Sequence, residues 1–180
     1  MNFKKNKIGI LGGSFDPAHK GHLAISKEAA KRFKLKKIVW AITKKNPFKK
    51  KSSQNLSTRI KYCKKIIKKT SFIKVKFFEN TIRSNKTINL INFFTQNKRN
   101  EIYFLMGADN LINFHKWHKW REISKKCNIV VFDRYGFKKK SLNSKTYKSL
   151  NKEKLKFINF NKVNISSSQL RFDNLKIING

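Results

Sequence analysis

The sequence predicts an α/β protein: a single domain built on a doubly wound, mostly parallel sheet with helices on both faces. Three observations carry that expectation. Short apolar, β-branched runs alternate with amphipathic stretches at helical spacing through nearly the whole chain. Two of those runs, Lys37–Ile42 and Glu101–Met106, are apolar almost throughout, as strands buried on both faces are. The first run, Ile8–Leu11, passes through Gly12 and Gly13 toward a helical stretch ending at Phe33, and strand, glycine turn, helix is the layout of an anion site.

The chain has 180 residues, enough to bury a core in one domain. It shows no internal repeat and no linker followed by a second domain, so residues 1–180 are taken as one unit. No stretch approaches a membrane span, and the basic start is not followed by the long apolar run of a secretory signal. A cytoplasmic location is expected. The two cysteines, Cys63 and Cys127, lie in apolar-periodic segments with no metal or redox spacing, and read as buried free thiols. The formal charge is +35, from 44 Lys plus Arg against nine acids. The lysines are spread through every segment, and Lys, Asn, Ile and Phe are enriched together. That pattern reads as compositional drift that attracts anions weakly, not as a specific nucleic-acid surface.

In chain order, the helical stretch Leu23–Phe33 follows the glycine turn, and Lys37–Ile42 forms the second strand. A polar loop from Thr43 to Asn55 holds Pro47 and the basic cluster Lys49–Lys51. Ser57 is expected to cap a helix over Thr58–Lys69. Phe72–Phe78 alternates and predicts the third strand. Glu79–Asn85 reads as a loop and Thr87–Gln96 as a helix with Ile88, Ile91 and Phe94 inward. The fourth strand, Glu101–Met106, ends in Gly107-Ala108-Asp109, at the carboxyl edge where open α/β sheets bind ligands. Trp117 and Trp120 follow, three apart as core residues of one helix would be, and Trp120 is assigned to packing. Cys127–Phe132 predicts the fifth strand. Residues 137–154 are polar and rich in Lys and Ser, and read as a partly ordered, variable insertion with a short helix. Lys156–Phe160 predicts the last strand.

Two stretches carry chemistry. In Gly12-Gly13-Ser14-Phe15-Asp16-Pro17-Ala18-His19-Lys20-Gly21-His22, two histidines add donors where a helix begins. The spacing fits neither a Walker A loop nor the GxGxxG fingerprint. Asp16 is better suited to fixing the turn than to holding metal. In Ile165-Ser166-Ser167-Ser168-Gln169-Leu170-Arg171, three hydroxyls sit at a helix start, with an arginine about one turn inside. His115 and His118 lie three apart without a further ligand type, so no zinc site is expected.

The first stretch resembles the G-x-F-D-P-x-H-x-G-H signature of the nucleotidyltransferase superfamily, and in particular of the nicotinate-nucleotide adenylyltransferases. Gly-x-Asp followed by a Trp-bearing aromatic segment, and Ile-Ser-Ser-Ser-x-x-Arg, are similar to two further signatures of that family, in the same order. The resemblance implies a Rossmann-like fold and adenylyl transfer from ATP to nicotinate mononucleotide, giving deamido-NAD and pyrophosphate without a covalent intermediate. It implies that His19 and His22 stabilise the transition state. Gly12, Gly13, Ser14, Phe15, Ser166, Ser167, Ser168 and Arg171 would hold the phosphates of ATP. Gly107 and Asp109 would meet ribose, and Ser84, Thr87, Trp117 and Arg134 would take the mononucleotide. Lys49, in an Asn-Pro-Phe-Lys element like the family's, is either a further phosphate contact or a solvated loop lysine. Mg²⁺ would arrive bound to ATP, and no metal site belongs to the protein itself.

Departures from the family pattern fall at Arg83, where a tyrosine is usual, and at Tyr135, where a proline is usual. An arginine at position 83 could pair with the nicotinate carboxylate. Two other acceptors fit the histidine signature: nicotinamide mononucleotide and phosphopantetheine. The phosphopantetheine branch typically carries Thr-x-Gly-His and lacks the Gly-x-Asp plus Trp segment. A non-catalytic RNA-binding protein is a distant alternative that rests on net charge alone. The oligomeric state is not readable.

Overall fold

The structure, a computed structural model, describes residues 5–45 and 52–160. Six strands form one sheet: β1 (Asn6–Gly13), β2 (Lys37–Ile42), β3 (Ile73–Phe77), β4 (Asn100–Gly107), β5 (Asn128–Phe132) and β6 (Leu155–Ile158). Their spatial order is β3-β2-β1-β4-β5-β6, with every neighbouring pair parallel. The order reverses direction between β1 and β4, so the crevice beyond their carboxyl ends is the topological switch point.

The helices are α1 (Lys20–Phe33), α2 (Leu56–Ile66), α3 (Glu79–Ile82), α4 (Thr87–Thr95), α5 (Ala108–Asn113), α6 (Trp120–Lys126), α7 (Lys138–Leu142) and α8 (Lys145–Ser149). Strand residues alternate between two cores. Leu11, Trp40, Leu105 and Val130 face α1 and α2, and Ile10, Val39, Phe104 and Val131 face the side of α4, α5 and α6. That period of two explains why the central strands read as continuous apolar runs.

Several elements differ from the sequence reading. α1 begins at Lys20, three residues early, because His19 caps it. The cap of α2 is Asn55, whose Oδ1 accepts from Thr58 N at 2.9 Å, and Ser57 instead donates its hydroxyl to Asn55 Oδ1 at 2.8 Å. The segment read as a loop after β3 contains α3. Residues 137–154 form α7 and α8, packed on α5, with Ser141 and Thr146 fully buried. Hydroxyls make this polar stretch buriable: Ser141 Oγ donates to Lys138 O at 2.8 Å and Ser144 Oγ to Ser141 O at 2.6 Å. Cys63 and Cys127 are buried free thiols, as expected.

Candidate active site

The carboxyl ends of β1, β2, β4 and β5 open into a cleft of about 750 Å³. Every candidate residue within the described regions lines it: Gly12, Gly13, Ser14, Phe15, His19, His22, Ser84, Thr87, Gly107, Asp109, Trp117 and Arg134. Lys49, Ser166, Ser167, Ser168 and Arg171 lie outside the described residues.

The two histidines form a reciprocal cap. Gly21 N donates to His19 Nδ1 at 3.1 Å, and His19 N donates to His22 Nδ1 at 3.2 Å. Both Nδ1 atoms therefore act as acceptors, which places the proton of each neutral imidazole on Nε2. The ring centroids are 3.9 Å apart. Behind them, Trp40 Nε1 donates to Ser26 Oγ at 2.8 Å, and Ser26 Oγ donates to His22 O at 2.8 Å. Phe15 stacks on Trp40 at 5.1 Å and tilts against His22 at 4.8 Å. Phe15 takes the left-handed backbone region, φ 49°, rare for a bulky residue and held here by its surroundings.

Asp16 does fix the turn. Its carboxylate, 2% exposed, accepts from Ser53 N at 2.6 Å, Ser53 Oγ at 2.9 Å and Gln54 N at 3.3 Å. A group that sequence reasoning missed is Arg59, equally buried. Its guanidinium donates to the carbonyls of Ser14, Thr43, Lys44 and Gln54. Glu79 completes this edge, accepting from Lys44 N at 3.0 Å and from the Thr43 hydroxyl.

Across the cleft, Asp109 Oδ2 accepts from Arg134 Nη1 at 2.8 Å. The other carboxylate oxygen folds back over Gly107, where a Cβ would meet it at 2.5 Å. The Gly-x-Asp spacing thus has a steric cause: any side chain at 107 displaces the carboxylate. Gly12 and Gly13 differ, since a Cβ at either would meet protein atoms only at ordinary contact distance.

Trp117 and Trp120 do not share a helix. After α5 the chain makes a 3-10 turn, Phe114–Lys116, and Lys119 at φ 52° starts α6 in a new direction. Trp120 is buried in the core, while half-buried Trp117 lines the cleft, edge-on to Phe104 and Phe114 at 6.0 and 5.2 Å. His118 lines the cleft too. His115 is tied to α8, its Nδ1 lying 3.2 Å from Thr146 Oγ1.

Arg83 is exposed and lies off the cleft wall; Lys86, the residue before α4, lines it instead. Ser84 Oγ is engaged locally, accepting from Lys86 N at 3.1 Å and Asn89 Nδ2 at 2.8 Å. Among the described residues, no group of three His, Cys, Asp or Glu converges to hold a metal, and no helix is long and apolar enough to cross a membrane.

A family model described as cytidylyltransferase-like matches residues 10–172. A Pelagibacter ubique (strain HTCC1062) protein named "Probable nicotinate-nucleotide adenylyltransferase" is 67% identical over 171 residues, 95% of each chain. The chain belongs to the nicotinate-nucleotide adenylyltransferase family. A second relative of the same name, from Agrobacterium fabrum (strain C58 / ATCC 33970), is 38% identical over 72% of this chain and 70% of its own. The fold is shared with the Plasmodium falciparum nicotinic acid mononucleotide adenylyltransferase solved with NaAD, at TM-score 0.75 and 22% identity, over 92% of this chain and 82% of that one. The same enzyme solved with APC superposes at TM-score 0.76, with 23% identity and the same coverage.

Within this adenylyltransferase, the signal that could have exposed Arg59 was faint. It stands four residues before Cys63 on an apolar-facing stripe of α2, where a cation needs a reason to be inward. Lys86 had no signal separating it from Arg83, because both precede the same helix.

Proposed function

We propose that the site transfers the adenylyl group of ATP to nicotinate mononucleotide, releasing pyrophosphate and leaving deamido-NAD. The single observation that carries the assignment of roles is the reciprocal cap: with both Nδ1 atoms accepting, Nε2–H is the donor of each neutral ring, and both His19 and His22 line the switch-point crevice.

The mononucleotide phosphate is already anionic at neutral pH, so it attacks the α-phosphorus without a general base. The bond from that phosphorus to the bridging oxygen breaks, and pyrophosphate leaves with its electron pair. Catalysis then consists of in-line positioning and charge stabilisation. His19 and His22 stabilise charge on the α-phosphate and on the departing oxygen. Gly12 and Gly13, which the protein's own packing does not require, leave clearance for the triphosphate. Ser166, Ser167, Ser168 and Arg171 are assigned to the β- and γ-phosphates, and the chain reaches the cleft wall at Phe160, shortly before them. Magnesium enters as part of the substrate, MgATP.

Asp109 is assigned to ribose, Arg134 to the mononucleotide phosphate and Trp117 to stacking on the pyridine ring. Ser84 and Thr87 border the pyridine carboxylate. Lys86, on the same wall, favours the carboxylate of the nicotinate form over the neutral carboxamide of the nicotinamide form. A cytoplasmic setting suits the two buried free thiols.

The test is pyrophosphate release from MgATP with nicotinate mononucleotide, nicotinamide mononucleotide and phosphopantetheine compared side by side. Strong preference for the nicotinate form is expected. Turnover only with phosphopantetheine would overturn the roles of Asp109 and Trp117 while leaving the histidine chemistry standing.

A further inference from the structure

Arg59 lies in the first turns of α2, outside the cleft lining, yet its side chain reaches back toward the helix start, as helical side chains do. There it gathers three chain segments. Nη1 donates to Ser14 O at 2.6 Å and to Thr43 O at 2.9 Å, Nη2 to Lys44 O at 3.1 Å, and Nε to Gln54 O at 3.2 Å. A buried cation is costly unless its donors are met, and an apolar side chain would fill the same space more simply. Here every side-chain hydrogen bond of Arg59 ends on a main-chain carbonyl of a loop bordering or bracing the cleft.

The consequence is geometric. The C=O and N–H of a trans peptide point in opposite directions. Drawing the Ser14 carbonyl onto Arg59 therefore turns the Phe15 N–H away from it, and sets the orientation of the peptide on which the left-handed φ of Phe15 depends. The Thr43–Lys44 peptide is gripped from both sides, its carbonyl by Arg59 and its N–H by Glu79. Gln54 is gripped likewise, its N–H by Asp16 and its carbonyl by Arg59. The loop after β1 is thus clamped before any ligand arrives.

We propose that Arg59 is a positioning residue for adenylyl transfer: its guanidinium fork holds the loop after β1 in the shape that receives the triphosphate. This rests on the assignment of that loop to ATP. The planar fork is what matters, because an ammonium cannot reproduce four divergent donors.

The test uses the full chain with Arg59→Lys and Arg59→Ala. Thermal melts establish folding, calorimetry gives the affinities of MgATP and nicotinate mononucleotide separately, and steady-state kinetics separate kcat from KM. Arg59→Lys should stay folded, bind MgATP about 10-fold more weakly and lose roughly 10- to 100-fold in kcat, the scale of a small misplacement of catalytic groups. Its affinity for nicotinate mononucleotide should stay within about 2-fold of the parent, since among the described residues the hydrogen bonds of Arg59 reach none of Ser84, Thr87, Trp117 and Arg134. Millimolar guanidinium should partly restore Arg59→Ala, and urea should not. Equal loss of both affinities, or kcat falling only with the folded fraction and without rescue, would overturn the proposal. Should Arg59→Ala fail to fold, an Arg59→Lys variant with parental MgATP affinity and kcat would overturn it equally. If the parent binds MgATP but does not turn over nicotinate mononucleotide, the acceptor assignment falls, while the MgATP comparison still decides the role of Arg59.

Discussion

The two walls of the cleft are built on different principles. On the β1–β2 side, buried polar groups hold backbone: Arg59 takes four carbonyls, Asp16 takes two amides and a hydroxyl, and the Trp40–Ser26 pair anchors His22 O. On the β4–β5 side, partly exposed side chains face one another. The Asp109–Arg134 pair leaves 19% and 33% of its side chains exposed, Trp117 is half-buried, and Tyr135 beside the pair is 85% exposed. The first wall is fixed before substrate arrives, as charge stabilisation in a transition state requires. The second can adjust, as a wall that selects among acceptors has reason to.

The sharpest way to break this contrast is at the fixed wall. His22→Ala should lower kcat by at least ~100-fold, because a preorganised donor to developing charge is lost. Nicotinate mononucleotide affinity, measured separately by calorimetry, should hardly move. Near-native turnover in a folded variant would remove His22 from the mechanism and leave only its part in the helix cap.

The next effect tests whether the two walls stand on one cooperative core. Cys63 lies under the first wall and Cys127 under the second, and burial pushes each thiol up to about 12 from an ordinary value near 9. The folded state holds these protons more tightly than the unfolded chain. Their contribution is therefore fully present below about pH 9 and is lost as pH rises toward about 12. Urea midpoints should be level up to pH 8.5 and fall above pH 9, and Cys63→Ala and Cys127→Ala should each remove part of the fall. Both thiols should become labelled together on unfolding; sequential labelling would show that the walls unfold separately.

At the adjustable wall the effect is smaller. Arg134→Ala should raise KM for nicotinate mononucleotide by about 10-fold, with the difference from the parent shrinking at high salt because the pair is exposed to screening. Stability should change by less than about 1 kcal/mol for the same reason. A larger loss of stability than of affinity would mean that the pair is structural.

The smallest effect separates two neighbouring side chains. Asn55→Ala should cost about 1 kcal/mol by removing the cap of α2, measured by denaturant midpoint, whereas Ser57→Ala should cost only a few tenths. Equal costs would undo the assignment of the cap.

Much of the fold was legible because its signals are local. The apolar runs of β1, β2, β4 and β5 are bounded by polar or glycine residues, and burial on both faces made each run continuous. The same locality exposed His19 and His22, Gly107 and Asp109. Locality also explains the misreadings. Asn55 and Ser57 are equally good caps by residue type, and only the chain direction into α2 chooses between them. Trp117 and Trp120 share a helical spacing that Lys119, in a left-handed conformation, breaks.

The sequence by itself determined the alternating α/β architecture, the switch-point histidine motif and the glycine that clears room for Asp109. Each depends on residues within a few positions of one another, where chain connectivity alone sets the geometry. Tertiary structure alone decided that Arg59 would meet Ser14, that Asp16 would meet Ser53, that Asp109 would pair with Arg134, and that Lys86 rather than Arg83 would face the cleft. The first three join segments that come together only when the sheet brings loop ends side by side, and the last depends on how the backbone enters α4. Long-range polar pairing follows the path of the folded chain, and no local pattern of residues encodes that path.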